Sequence, residues 1–287
     1  MQPLDRILFV TPSVRVGAFR CPVDDPRFRD SGPIQNHLVA FPRTGVWIRQ
    51  AGSRPVVADP RVVTIYNSGR EYRREPIGRD GDRCDWFAVA PEQAFAIARE
   101  HDPLTPEKTE AVFRFEMAES DPVLYLRQRR LFLRLERGTI ERFEAEEAVL
   151  NLVGTVLARA AAPTQRRVAR VSAAAAARRN LVEAARAELA RAPSGPTDVT
   201  DLARRLGASP YHLCRVFRDG TGLTLHAYRL DLRLRTALER LADPRVNLSL
   251  LALELGFSSH SHFAAVLRTR YGLTPTQCGR TLRGSVA

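Results

Sequence analysis

The sequence predicts an α+β chain of more than one domain: an antiparallel β domain of sandwich or small-barrel type, then an all-α domain with two helix-turn-helix motifs. Three observations predict it. Short apolar and β-branched runs broken by Pro, Gly, Asn and Asp fill residues 38–91. From Asp121 onward the apolar residues recur at three- and four-residue steps instead. Finally, Val199 to Pro275 contains one pattern twice.

The strand-like runs are LVAFP, GVWIRQ, PVVA, VVTIYN, EYRRE and CDWFAVA, with turn chemistry at Gly52-Ser53, Asp59-Pro60, Asn67-Ser68-Gly69 and Gly78 to Asp82. Closely spaced strands of this kind suit an antiparallel sandwich or barrel. A short helix comes next, with Pro91 in its first turn and EQAFAIARE behind it. Phe41, Trp47, Tyr66, Tyr72 and Trp86 are candidates to line an apolar pocket with polar tips; the commoner place for any one of them is the core of a small sheet domain. Cys21 and Cys84 are candidates for a thiol switch if they meet in space.

Asp121-Pro122 starts a helix, an N-cap followed by proline in the first turn, and LYLRQRRLFLRLER carries it to Gly138. Thr139 is placed to cap a second helix, whose residues Ile140, Phe143, Glu147, Leu150, Gly154 and Leu157 keep helical steps and, Glu147 apart, form an apolar stripe. Val149, Val153 and Val156 broaden it. This stripe must be covered, by the sheet domain or by a twin helix pair in a dimer. From Pro163 to Arg179 the composition turns to Ala and Arg, with almost no large apolar side chain to dock, which reads as a linker. The expected order is therefore a β domain over 1–120, a helical hairpin over 121–162, a linker over 163–179 and a helical domain over 180–287.

In the doubled pattern, Leu202, Ala203, Leu206, Gly207 and Ser209 match Leu251, Ala252, Leu255, Gly256 and Ser258 at an offset of 49. After one inserted residue, Leu213, Val216, Phe217, Gly222 and Leu223 match Phe263, Val266, Leu267, Gly272 and Leu273 at an offset of 50. Each copy has a short amphipathic segment, a glycine at its end, a serine able to N-cap a second helix, and in that second helix apolar residues at helical spacing. LHAYRLDLRLRTALERLAD joins them.

The two copies, the helix between them and the Gly-Leu-Thr closing each resemble the two-motif DNA-binding domain of the AraC family of transcription regulators, over about the last hundred residues. The resemblance implies a double-stranded promoter DNA partner, with the positions of Tyr211, Cys214 and Arg215 pointing into the major groove. A guanidinium can meet both acceptors of guanine, so Arg215 is the expected base reader, with Arg218 on a phosphate. The second copy departs from the family, with Ala265 where an arginine is usual, leaving His260, Ser261 and Arg268 as its DNA candidates. The resemblance also implies a cupin-type jelly roll holding a small-molecule effector, a homodimer through the helical hairpin, and activation by contact with RNA polymerase.

Composition bounds the alternatives. The 287 residues carry 44 Lys+Arg against 32 Asp+Glu, a net charge of +12 that favours a polyanionic partner. Lys108 is the only lysine, so the charge is arginine, through phosphate recognition or through the composition of the genome. The opening MQPLDRILFVTPSV lacks the cationic lead and long apolar run of a secretory signal, and no stretch is long enough to cross a bilayer, so a cytoplasmic protein without membrane partner is expected. His37 and His101 stand apart, short of the clustered histidines and carboxylate of a metal cupin, so neither metal, cofactor nor catalysis is expected. Three other readings stay open on sequence alone: a thiol-sensing regulator, a cupin-type enzyme fused to a DNA-binding domain, and an architectural DNA-binding protein that senses nothing.

Overall fold

The computed structural model describes residues 4–105, 111–162, 173–195 and 197–284, and the chain divides into two compact units, 1–167 with 280–287 and 168–279. Among the described residues the first unit holds nine strands: β1 (Asp5–Val10), β2 (Val14–Cys21), β3 (His37–Pro42), β4 (Val46–Gln50), β5 (Val56–Ala58), β6 (Val62–Tyr66), β7 (Tyr72–Pro76), β8 (Asp82–Val89) and β9 (Met117–Glu119). The six predicted runs fall on β3 to β8. They build two antiparallel sheets, one ordered β1-β2-β8-β3-β6-β9 and one ordered β5-β4-β7.

Three strands were not anticipated. The β1-β2 hairpin carries Arg6, Arg15 and Arg20 among its apolar residues, and its turn is closed by Thr11, whose hydroxyl oxygen accepts from the Val14 backbone N–H at 3.1 Å. The third, β9, is only three residues long and gains its strand character by pairing with β6.

The centre of the larger sheet is buried on both faces, which is why β3 from Leu38 to Pro42 and the second half of β8, Trp86 to Val89, read as continuous apolar runs. Phe87 and Val89 alternate toward the helices, while Trp86 and Ala88 face the smaller sheet. The helices on the first face are α1 (Pro91–His101), α2 (Pro122–Glu136) and α3 (Arg142–Ala161). Asp121 caps α2 by accepting from the Leu124 N–H at 2.7 Å. Two polar residues fasten α2 to β8: Gln128 donates to Asp85 at 2.7 Å and Arg129 pairs with the same buried carboxylate.

The start and the buried face of α3 differ from expectation. Its N-cap is Glu141, without a side-chain capping bond, while the Thr139 hydroxyl turns back to the Arg134 carbonyl oxygen. The face it buries runs through Ala145, Val149, Leu152, Val153, Val156, Leu157 and Ala160, against α1 and strands of the larger sheet, so the expected Val149, Val153, Val156 and Leu157 are buried. Phe143, assigned to the stripe, is 75% exposed. The rotation follows from the small residues Ala145 and Ala160, which let the helix approach the sheet more closely than a Phe-centred face would. The face that α3 does bury is thus covered within the first unit, and Phe143 is left outside it.

The second unit holds α4 (Ala173–Arg191), α5 (Val199–Arg205), α6 (Pro210–Thr221), α7 (Leu225–Leu241), α8 (Leu248–Glu254) and α9 (His260–Tyr271), and the last helix is α10 (Pro275–Arg283). Of the expected linker, residues 163–172 lie outside those described, and 173–179 form the first turns of α4. High helix propensity across the alanines accounts for that continuation. Val182, Ala185 and Leu189 of α4 pack with Leu202, Ala203, Leu213, Val216, Phe217 and Tyr228 in one core. No helix among the described residues is long and apolar enough to cross a membrane.

Candidate nucleic-acid interface and ligand cavity

Each motif is two helices joined at a glycine in the left-handed region, Gly207 at φ 66° and Gly256 at φ 75°. Ser209 caps α6, its hydroxyl oxygen accepting from the His212 N–H at 3.2 Å, with Pro210 at the first turn. In the second motif the cap is Ser259, accepting from the His262 N–H at 3.1 Å. The predicted cap, Ser258, instead bonds the His262 imidazole at 3.0 Å. The inserted residue therefore lies before the cap, inside the turn, where Gly256-Phe257-Ser258 replaces Gly207-Ala208. Phe257 uses the extra length to pack on Phe263, with ring centroids 5.1 Å apart.

With that register, α6 and α9 correspond position by position at an offset of 50. Leu213, Val216 and Phe217 are buried in the first; Phe263 and Leu267 are buried in the second, with Val266 half-buried. The opposite face of α6 presents Tyr211, Cys214, Arg215 and Arg218 at i, i+3, i+4 and i+7, all exposed, Tyr211 by 78%. On α9 the same positions hold Ser261, Ala264, Ala265 and Arg268, with His260 exposed at the start.

The arginines divide by what they already hold. Arg204 pairs with Asp201, Arg205 with Glu188 and Arg240 with Glu254. On α7, Arg229 and Arg233 both donate to the Pro193 carbonyl oxygen, at 2.8 and 2.7 Å, and Arg233 also to the Gly256 carbonyl oxygen. Arg235, on the same helix, is fully buried beside Asp231. Arg215, Arg218 and Arg268 have no ion-pair partner among the described residues, which leaves their guanidinium groups free for an external anion.

Residues 202–281 match the family model described as "Helix-turn-helix domain". They are a helix-turn-helix domain. A curated relative, the "HTH-type transcriptional regulator GlxA" of Rhizobium meliloti, is 40% identical over 82 residues, 28% of this chain and 25% of that protein. The "Probable transcription factor PqrA" of Proteus vulgaris is 32% identical over 79 residues, 28% of this chain and 65% of that protein. The chain thus spans less than two thirds of the length of either. Among solved structures, an AraC-type DNA-binding domain protein of Chromobacterium violaceum is 26% identical, covering 38% of this chain and 96% of that one at a TM-score of 0.35. Unsaturated fatty acid-bound ToxT of Vibrio cholerae is 9% identical, covering 96% and 98%, at a TM-score of 0.38.

Of the five aromatic pocket candidates in the first unit, three line one cavity. Tyr66, Tyr72 and Trp86 border a space of about 200 Å³ between the two sheets. Phe41 is on the other face of β3, edge-on to Phe87 at 5.8 Å in the helix-covered core. Trp47 lies along an open groove with Arg49, Arg73 and Glu75. Strand parity separates them: β3 is apolar at every position but His37, so composition does not say which side Phe41 takes.

Cys21 and Cys84 sit diagonally on neighbouring strands, Cys21 opposite Asp82 and Cys84 opposite Phe19. Burial pushes both thiols above their ordinary range, the reverse of what a reactive thiolate needs, so a thiol switch is not favoured. Burial also lowers His37, whose Nδ1 accepts from the Ser68 N–H, and no group of metal-binding side chains occurs among the described residues.

Proposed function

We propose that the protein is a cytoplasmic, sequence-specific transcription regulator that binds double-stranded promoter DNA and responds to a small effector held in the first unit. The observation that carries this reading is the α6 face of Tyr211, Cys214, Arg215 and Arg218: exposed, on a helix capped at both ends, with its arginines unspent. Arg215 reads a base, Arg218 holds a phosphate, and Tyr211 and Cys214 flank them in the major groove. α9 docks in the next groove through His260, Ser261 and Arg268 with less power to choose a base, since its central positions are Ala264 and Ala265. α7, 17 residues and about 26 Å long, spaces the two readers, against roughly 34 Å between successive major grooves.

The cavity between the sheets supports an effector site at Tyr66, Tyr72 and Trp86. Activation through RNA polymerase, and pairing of two chains, complete the reading; catalysis forms no part of it. Selection of bound sequences from a random duplex pool tests it directly. A recovered motif with one strongly specified half-site and one degenerate half-site about a helical turn away is the expected outcome. Recovery of no motif, with binding that varies only with DNA length, would instead mean an architectural protein.

A further inference from the structure

We propose that the cavity between the two sheets binds a small organic cation, an amine or quaternary ammonium on a compact apolar body. The proposal rests on the effector reading above and names its ligand class. At about 200 Å³ the space is modest; an apolar cavity of roughly 150 Å³ is enough for benzene, so the occupant is little larger than one six-membered ring.

Three properties of the lining set its chemistry. The first is aromatic: Tyr66 and Tyr72 stand 5.4 Å apart, their planes tilted by 57°, and the Trp86 indole borders the same space. Their negative π faces attract a cation and give an anion nothing. The second is the sign of the charge. Asp5 and Asp82 line the cavity, and among the described residues no arginine, lysine or histidine does.

The third is which carboxylate remains unmatched. Asp82 is held by Arg74 at 2.8 Å, and the rest of that guanidinium is spent on the Arg27 carbonyl oxygen and on Ser31. Asp5 accepts from the Trp86 indole N–H at 2.8 Å and has no ion-pair partner among the described residues. Asp5 is exposed at the rim of the cavity, so its carboxylate is open to a cation that enters from solvent. A carboxylate or phosphate ligand would meet the unpaired Asp5 and an Arg74 already committed to Asp82 and to the rings of Phe19 and Tyr72, and a neutral ligand would gain nothing from Asp5.

The test is thermal unfolding of the full chain at matched ionic strength, titrated with tetramethylammonium, tert-butanol and pivalate, which share a branched apolar body and differ in charge. Tetramethylammonium is expected to bind on the order of ten-fold more tightly than tert-butanol, and pivalate not at all. Asp5→Asn keeps the acceptor for Trp86 and should reduce tetramethylammonium to the level of tert-butanol; Tyr72→Leu should weaken it independently. Equal or tighter binding of tert-butanol or pivalate, an unchanged Asp5→Asn, or no shift with any of the three overturns the cation assignment while leaving an effector site intact. Absence of a shift across a broad set of metabolites as well would remove the effector reading with it.

Discussion

The Trp86 indole occupies the place where a side chain at Gly17 would begin: a Cβ there would lie 2.5 Å from Trp86 Cζ2 and 2.8 Å from the Arg6 carbonyl oxygen. The two residues face each other across β2 and β8, so the glycine lets the ring lie flat over the sheet and reach Asp5. Gly17→Ala should therefore displace the indole and cost about 1–3 kcal/mol by overpacking. Chemical unfolding followed by tryptophan fluorescence checks it; a stability close to that of the parent would show that the ring has another place to go.

On DNA the two reading helices should be unequal. Arg215→Ala is expected to cost about 1–3 kcal/mol of binding and to relax preference at one base, with a smaller and sequence-independent loss for His260→Ala. Titrations at one fixed salt concentration, against the selected site and single-base variants of it, measure both. Equal losses would mean that α9 reads as much as α6.

Cys214 provides a footprint without mutation. It is exposed, whereas Cys21 and Cys278 are buried and Cys84 is partly so. A maleimide should label Cys214 first, and saturating specific DNA should slow that labelling at least several-fold, as read by mass spectrometry. Labelling at the same rate with and without DNA would place this face of α6 outside the groove.

The corrected turn in the second motif makes a paired prediction. Ser259→Ala removes the cap of α9 and should cost about 1 kcal/mol, close to the effect of Ser209→Ala on α6. Ser258→Ala loses only its bond to the His262 imidazole and should cost less. Thermal unfolding of the three variants ranks them, and a larger loss at Ser258 would restore the register read from sequence.

What could be read beforehand divides along physical lines. Asp121-Pro122 and Ser209-Pro210 carry their own local instructions, a capping oxygen followed by a ring that pre-sets φ, and both helices start there. The second cap carries no such mark, because Ser258 and Ser259 are adjacent and either can accept from the first turn. Phe41 and Trp86 differ in side for a non-local reason, the pairing of β3 with β8. Arg229, Arg233 and Arg235 look alike in sequence, yet Pro193 and Gly256 reach the first two only once the helices pack, and Arg235, four residues after Asp231 on the same helix, is distinguished by its burial. The unspent state of Arg215 is likewise invisible until its neighbours are known.

The two α7 arginines that share the Pro193 carbonyl oxygen also change how the chain's positive charge should be counted. A guanidinium already committed to a protein carbonyl is less able to approach a phosphate and displace a condensed sodium or potassium ion. Only the displaced ions enter the dependence of affinity on salt. The steepness of that dependence should consequently track the few uncommitted groups on α6 and α9, not the 44 cations of the chain.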